Sequence, residues 1–286
     1  MAKVITDIAR FAERDAMAVY PERPAPAASG KRSRRMAAIL DLLAERGSVS
    51  LAELSRTLGI SPATARRDLA DMNDQRLLLR THGGARVLET RNELPVALRD
   101  TRFQEAKRAI ATAVAAAIPR QRYAVALCGG TTTASVARAL AGHGELTIVT
   151  NSLTIAQLVT IHPQLKVVMT GGILRPESLE LVGVLAENTF NAINLGTAIV
   201  GTDGMTAAGG VTTHDETEAR TNNAMVTHAQ RVIVVADGSK IGRLALAQVA
   251  KIEQVDLLVT DSSADPDALE AIRAAGVEVQ VVEVAG

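Results

Sequence analysis

A chain of 286 residues exceeds one ordinary domain, and with 47% apolar residues but no Trp, two Tyr and three Phe its core must be aliphatic. A single cysteine excludes an internal disulfide framework, and no apolar run reaches membrane-spanning length, so a cytoplasmic protein is expected. The formal charge is zero but uneven: residues 31–90 hold 11 Lys and Arg against 7 Asp and Glu, residues 91–286 hold 16 against 20, and only the former suits an anionic polymer.

The apolar residues of the first twenty positions are broken by Lys3, Asp7, Arg10 and Glu13, unlike a secretion signal. Pro21 to Gly30 reads as a linker, so residues 1–30 are expected to be a flexible extension. A helix follows with Met36, Ile39, Leu40 and Leu43 on one face, ending near Gly47. Ser50 and Glu53 form a capping box that opens a second helix, whose stripe is Leu51, Leu54 and Leu58. Gly59 permits a turn. Ser61 and Pro62 then supply an N-cap and a first-position proline for a third helix over about 62–74. Ala65, Leu69 and Met72 fall on its inner face, Ala63, Arg66, Arg67 and Ala70 on or beside its outer one. The run Leu77–Leu88 suggests two short strands around a glycine turn, a wing.

Three helices and a hairpin of this kind place the third helix in a major groove, where an arginine donates two hydrogen bonds to guanine. The candidate base readers are Arg66 and Arg67. Ser61, Thr64 and the helix N-terminus suit phosphate oxygens, while Arg80, His82 and Arg86 would arm the wing. The competing account makes Arg66 and Arg67 a solvated face paired to nearby acids.

From about residue 105 the pattern becomes strands alternating with helices. Tyr123–Leu127, Leu146–Val149, Lys166–Met169, Thr197–Val200, Val232–Ala236 and Leu257–Val259 read as strands buried on both faces, with helices over 131–141, 152–161, 214–229 and 266–275. The expected fold is α/β, a parallel sheet with helices on both sides. Five strands end in small polar loops: 129–133, 150–152, 170–172, 201–204 and 237–240. Such loops gather at the carboxyl ends of parallel strands, where ligands bind. Gly130, Thr131, Thr132 and Thr133 open a helix whose free N–H groups favour an anion, and Lys240 adds a point charge. Asn151, Gly171, Gly172 and Asp203 are expected around the rest of the ligand.

Residues 59–69 (Gly-Ile-Ser-Pro-Ala-Thr-Ala-Arg-Arg-Asp-Leu) and 78–85 (Leu-Leu-Arg-Thr-His-Gly-Gly-Ala) resemble the signature of the DeoR family of bacterial regulators. The likeness extends over about 31–261 through Gly130-Thr-Thr132, Thr150-Asn151, Gly171-Gly172, Asp203-Gly204 and Asp237–Lys240. It implies a winged helix-turn-helix over 31–90 that binds a double-stranded DNA operator. It also implies an effector and oligomerisation domain over 91–286, similar to ribose-5-phosphate isomerase and sensing a phosphorylated sugar or related metabolite. The expectation is a repressor of a carbohydrate operon, working as a dimer or tetramer, with no cofactor and no membrane partner. Two departures stand out. Ala65 replaces a common isoleucine, and Cys128-Gly129 stands where an Asp-Ser pair is usual.

The alternative is an isomerase of sugar phosphates with an accessory module. Asp203 survives from the acid-base set of such enzymes, but Val200, Gly204 and the lysine-free stretch 205–210 replace the rest, so no catalytic residue is assigned. Cys128 is read as a buried strand-end thiol. His214, Asp215 and Glu218 are read as a solvated helix start and not as a metal site.

Overall fold

The computed structural model describes residues 30–74, 77–86, 96–99 and 103–284. The expected extension lies outside these residues except for Gly30, which already belongs to the first helix, and Val87 and Leu88 of the expected wing also lie outside them. No helix among the described residues is long and apolar enough to cross a membrane.

The N-terminal module comprises α1 (Gly30–Arg46), β1 (Ser48–Ser50), α2 (Leu51–Leu58), α3 (Pro62–Asp74), β2 (Leu79–Thr81) and β3 (Gly84–Arg86). Local chemistry sets its boundaries. Ser50 Oγ accepts the Glu53 N–H while the Glu53 carboxylate accepts that of Ser50, which starts α2. Gly59 adopts φ 62°, the left-handed conformation that ends it. Met36, Ile39, Leu43, Leu54, Ala65, Leu69 and Met72 then close one small core. The wing has a third strand the sequence did not announce: β1 pairs with β3, in the order β1-β3-β2. Gly84 makes that pairing possible, because a Cβ there would overlap the Val49 carbonyl and lie 2.8 Å from Ser50 Cα.

After α4 (Val96–Arg99) and α5 (Gln104–Ala117) comes a seven-stranded parallel sheet. Its members are β4 (Tyr123–Leu127), β5 (Leu146–Thr150), β6 (Lys166–Met169), β9 (Leu195–Gly201), β12 (Ala229–Val235), β14 (Leu257–Asp261) and β15 (Glu278–Val282), ordered β15-β14-β12-β9-β4-β5-β6. Period-two alternation divides the strand side chains between two cores. Val125, Leu127, Ile148, Ile199 and Ile233 face α5, α6 (Thr131–Leu140) and α7 (Leu153–Val159). Ala126, Val149, Ala198, Val200 and Val234 face α8 (Val184–Asn191), α9 (Glu216–Thr227) and α10 (Pro266–Ala274). Phe190 is fully buried in this second core, the largest of the completely buried side chains among the described residues.

Two smaller antiparallel pieces were not foreseen. One is the sheet β10 (Gly204–Thr206), β11 (Gly210–Thr213) and β13 (Ala247–Ala250). The other is the hairpin β7 (Ile173–Arg175) and β8 (Glu180–Val182). The chain runs from β4 outward through β5 and β6, then returns to build β9 on the other side. The β4/β9 junction is therefore the point where strand order reverses, the place where open α/β sheets bind ligands.

Candidate functional site

The third helix presents two different faces. Ala65, Leu69 and Met72 are buried as expected, and Asp68 joins them at 2% exposure. A buried carboxylate needs a partner, and Arg35 of α1 supplies it: its guanidinium grips Asp68 through Nε and, at 3.0 Å, through Nη2. Arg32 pairs with Asp71 one turn further on. The acids beside Arg66 and Arg67 are thus taken by α1. Both of those arginines are exposed and make no hydrogen bond or ion pair among the described residues. Ser61 Oγ accepts the Thr64 N–H at 3.2 Å and so caps the helix, with Thr64 Oγ1 at 2.9 Å. Arg80, His82 and Arg86 are exposed on the wing, and the Arg80 N–H donates to Asn73 Oδ1 at 3.1 Å, tying the wing to the end of α3.

At the β4/β9 junction lies a cavity of about 160 Å³. Three of the five polar loops reach it. Gly130, Thr131, Thr132 and Thr133 line it, and no side chain among the described residues caps the N-terminus of the ten-residue α6. Asp203 and Lys240 line the cavity as well and pair at 3.2 Å. Asp203 is also 3.4 Å from Arg99 and 3.9 Å from His214. Burial pushes its carboxyl up, but Lys240, Arg99 and His214 together outweigh burial and hold it below the usual aspartate value.

Asn151, Gly171 and Gly172 are not brought to the cavity wall. The β7–β8 hairpin intervenes. Asn151 C=O accepts the Leu181 N–H at 2.8 Å, Gly172 at φ 140° sits against the Val182 backbone, and Gly171 sits against Leu185. The hairpin brings Glu180 and the preceding Ser178 to the cavity in their place. Asn151 acts at one remove: its Nδ2 donates to Asn222 Oδ1 at 3.2 Å, and Asn222 Nδ2 reaches Glu180 Oε1 at 3.5 Å.

The cavity also takes residues that the sequence reading did not assign to it, among them Arg99, Lys107, Glu180 and Glu218. Lys107, itself 3% exposed, donates from Nζ to the Arg99 carbonyl at 2.7 Å. Glu218 corrects the reading of 214–218 as a solvated helix start, since it is buried at 8% exposure. Asp215 caps α9 by accepting the Glu218 N–H at 2.8 Å, and Arg175 pairs with Asp215 at 3.4 Å and Glu218 at 3.2 Å. Thr213 Oγ1 stands 2.7 Å from Glu218 and 3.1 Å from Asp203, so its single proton serves one carboxylate at a time. Cys128 is buried as read; burial first, then the nearby carboxylates led by Glu180, push its thiol well above the ordinary cysteine value. A thiol so placed stays protonated near neutrality, and the thiolate is the reactive form.

Residues 102–262 match the model of the DeoR C terminal sensor domain, and residues 35–91 that of the DeoR-like helix-turn-helix domain. The chain is 37% identical over 250 residues to the HTH-type transcriptional regulator GlpR of Haloferax volcanii, covering 87% of this chain and 96% of that one. It is 33% identical over 232 residues to the glycerol-3-phosphate regulon repressor of Escherichia coli, covering 81% and 92%. Ribose 5 phosphate isomerase A from Neisseria gonorrhoeae overlaps 50% of this chain and 53% of its own, at a TM-score of 0.35 and 17% identity.

Proposed function

We propose that this chain, which belongs to the DeoR family of transcriptional regulators, is an operator-binding repressor of a carbohydrate operon controlled by a phosphorylated sugar or related metabolite. Arg66 and Arg67 read base edges, Ser61 and Thr64 hold phosphate oxygens, and Arg80 and His82 place the wing on the backbone. The protein acts in the cytoplasm as a dimer or tetramer, because one small reading head binds weakly and paired half-sites need paired heads.

In the cavity the N–H groups of Gly130–Thr133 and the Lys240 ammonium receive the phosphate, while Asp203 accepts hydrogen bonds from the hydroxyls of the polyol. The observation that carries this reading is the N-terminus of α6, uncapped by any described side chain, opening onto a cavity that Lys240 also lines. A relative named as a glycerol-3-phosphate regulon repressor supports a phosphorylated effector. The test is operator binding by fluorescence anisotropy, with and without a panel of sugar phosphates and the matching free sugars. Phosphates should shift operator affinity and free sugars should not, and Lys240→Ala should lose the shift.

An isomerase is the weaker reading. Carboxylates do gather in the cavity, but Asp203 is held ionised by Lys240 and Arg99 and is not poised to exchange a proton near neutrality. Purified protein should leave aldose phosphates unchanged. Turnover that vanishes in Asp203→Asn would reverse that conclusion.

A further inference from the structure

Gly129 has no side chain, and Glu180 occupies the space it leaves: a Cβ at 129 would lie 2.6 Å from Glu180 Cδ. The Gly129 N–H donates to Glu180 Oε1 at 2.6 Å, and Asn222 Nδ2 approaches the same oxygen at 3.5 Å. Oε2 receives no hydrogen bond from any described residue. Glu180 is 1% exposed, lines the cavity and has no ion-pair partner among the described residues. Of the cavity's other carboxylates, Asp203 has Lys240 and Arg99, and Glu218 has Arg175. Asp237, which also has no ion pair among the described residues, accepts from both the N–H and the hydroxyl of Ser239. Two residues before Glu180, the Ser178 hydroxyl also lines the cavity, 3% exposed and with no hydrogen-bond partner among the described residues.

A carboxylate taken out of water without a counter-ion is strongly disfavoured, and removing one partner of a buried pair shows the same cost. Glu180 therefore offers a place for a cation that no described residue fills, although Lys240, Arg99, Lys107 and Arg243 line the same cavity. We infer that Glu180 selects the ligand of this cavity by receiving a primary ammonium group, so that the molecule sensed is a phosphorylated amino sugar. The inference rests on the phosphate reading above and adds the second end of the ligand. A hydroxyl would give Glu180 one hydrogen bond but leave its charge uncompensated. An ammonium also screens the repulsion between Glu180 and a phosphate on the adjoining Gly130–Thr133 loop, which a hydroxyl does not. Ser178 Oγ accepts a hydrogen bond from a second ammonium N–H.

The experiment is thermal unfolding of the full chain with glucosamine 6-phosphate, galactosamine 6-phosphate, their 2-hydroxy counterparts glucose and galactose 6-phosphate, and the two free amino sugars. At least one amino sugar phosphate should raise the melting temperature and bind about tenfold or more tightly than its hydroxy counterpart. Glu180→Gln should erase the preference while phosphates still bind better than free sugars. If that variant does not fold, Glu180→Asp, which retains the charge and withdraws it by one methylene, should keep the preference in weakened form. Equal protection by hydroxy and amino phosphates in the wild type, a preference that survives Glu180→Gln, or no protection by any compound overturns the inference. A free amino sugar that protects as well as its phosphate, with the preference still abolished in Glu180→Gln, removes the phosphate reading and leaves Glu180 as the ammonium receptor.

Discussion

Arg99 Nη1 lies 3.4 Å from Asp203 Oδ1, so the short helix that follows the winged-helix module in sequence is ion-paired to a carboxylate of the ligand cavity. The Val96 N–H donates to the Glu177 carbonyl at 2.9 Å, and Lys107 Nζ holds the Arg99 carbonyl, so the helix is fastened to the sensor at both ends. A phosphate that draws Lys240 away from Asp203 alters the charge around this clasp. Arg99→Ala should therefore leave a protein whose operator affinity changes less on adding ligand, by about 1–3 kcal/mol of lost coupling. Paired anisotropy titrations measure it; an unchanged ligand response in Arg99→Ala would show that the signal travels elsewhere.

The same carboxylate makes stability depend on acid. The folded value of Asp203 is held below its ordinary 3.8. Its contribution is complete above that ordinary value and is lost as pH falls through the lowered one. Asp203→Asn should thus flatten the acid side of the stability profile, read by urea unfolding between about pH 5 and pH 2. An identical acid slope in mutant and wild type would remove Asp203 from the account.

On DNA, Arg67→Ala should cost about 1–3 kcal/mol of operator affinity and little affinity for random sequence, the worth of one bidentate base contact. Arg80→Ala should weaken both alike and reduce the salt slope by about one. Equal losses on operator and random DNA for Arg67→Ala would show that it does not read bases.

In the wing, Gly84→Ala forces a methyl group onto the Val49 carbonyl and should destabilise the N-terminal module by about 1–3 kcal/mol. Operator binding should fall while ligand-induced protection of the sensor persists, both read on the full chain. Full operator affinity at 37 °C would mean that the β1–β3 pairing opens freely.

Self-association should involve the apolar surface beside the β7–β8 hairpin, where Ile173, Val184 and Leu185 are 76%, 61% and 65% exposed. Leu185→Asp should shift the protein toward monomer by light scattering at micromolar concentration. An unchanged mass would place the contact on another face.

The reading head was almost fully legible because its signals are local: Ser50 with Glu53, Gly59, and Ser61 before Pro62 each fix a boundary within four residues. The strand β1 was not, since three residues gain strand character only by pairing with β3 some 35 positions away. The central strands were visible as β-branched runs, but β15, an edge strand with Glu278 and Gln280 among its apolar residues, was not. In the cavity, loops that continue a strand were found and residues carried in from elsewhere were not. The hairpin that brings Glu180 has an exposed first strand with no buried period, and Arg99 comes from between the modules. The same hairpin covers the backbone around Asn151 and Gly172, two residues whose polar loops looked equal to the others in sequence.

The pairing of Asp68 and Asp71 with α1 bears on how this protein is felt by a nucleic acid at a distance. Residues 62–74 contain two arginines and three aspartates, so the segment counted by formal charge is acidic. Two of those aspartates spend their charge on Arg35 and Arg32, and what projects outward is the field of Arg66 and Arg67. Neutralising Arg35 would hand the Asp68 charge back to that field as well as loosen the core. A helix that a charge tally would class as repelled by DNA is thereby made attractive to it, through a partner helix that need not touch the duplex.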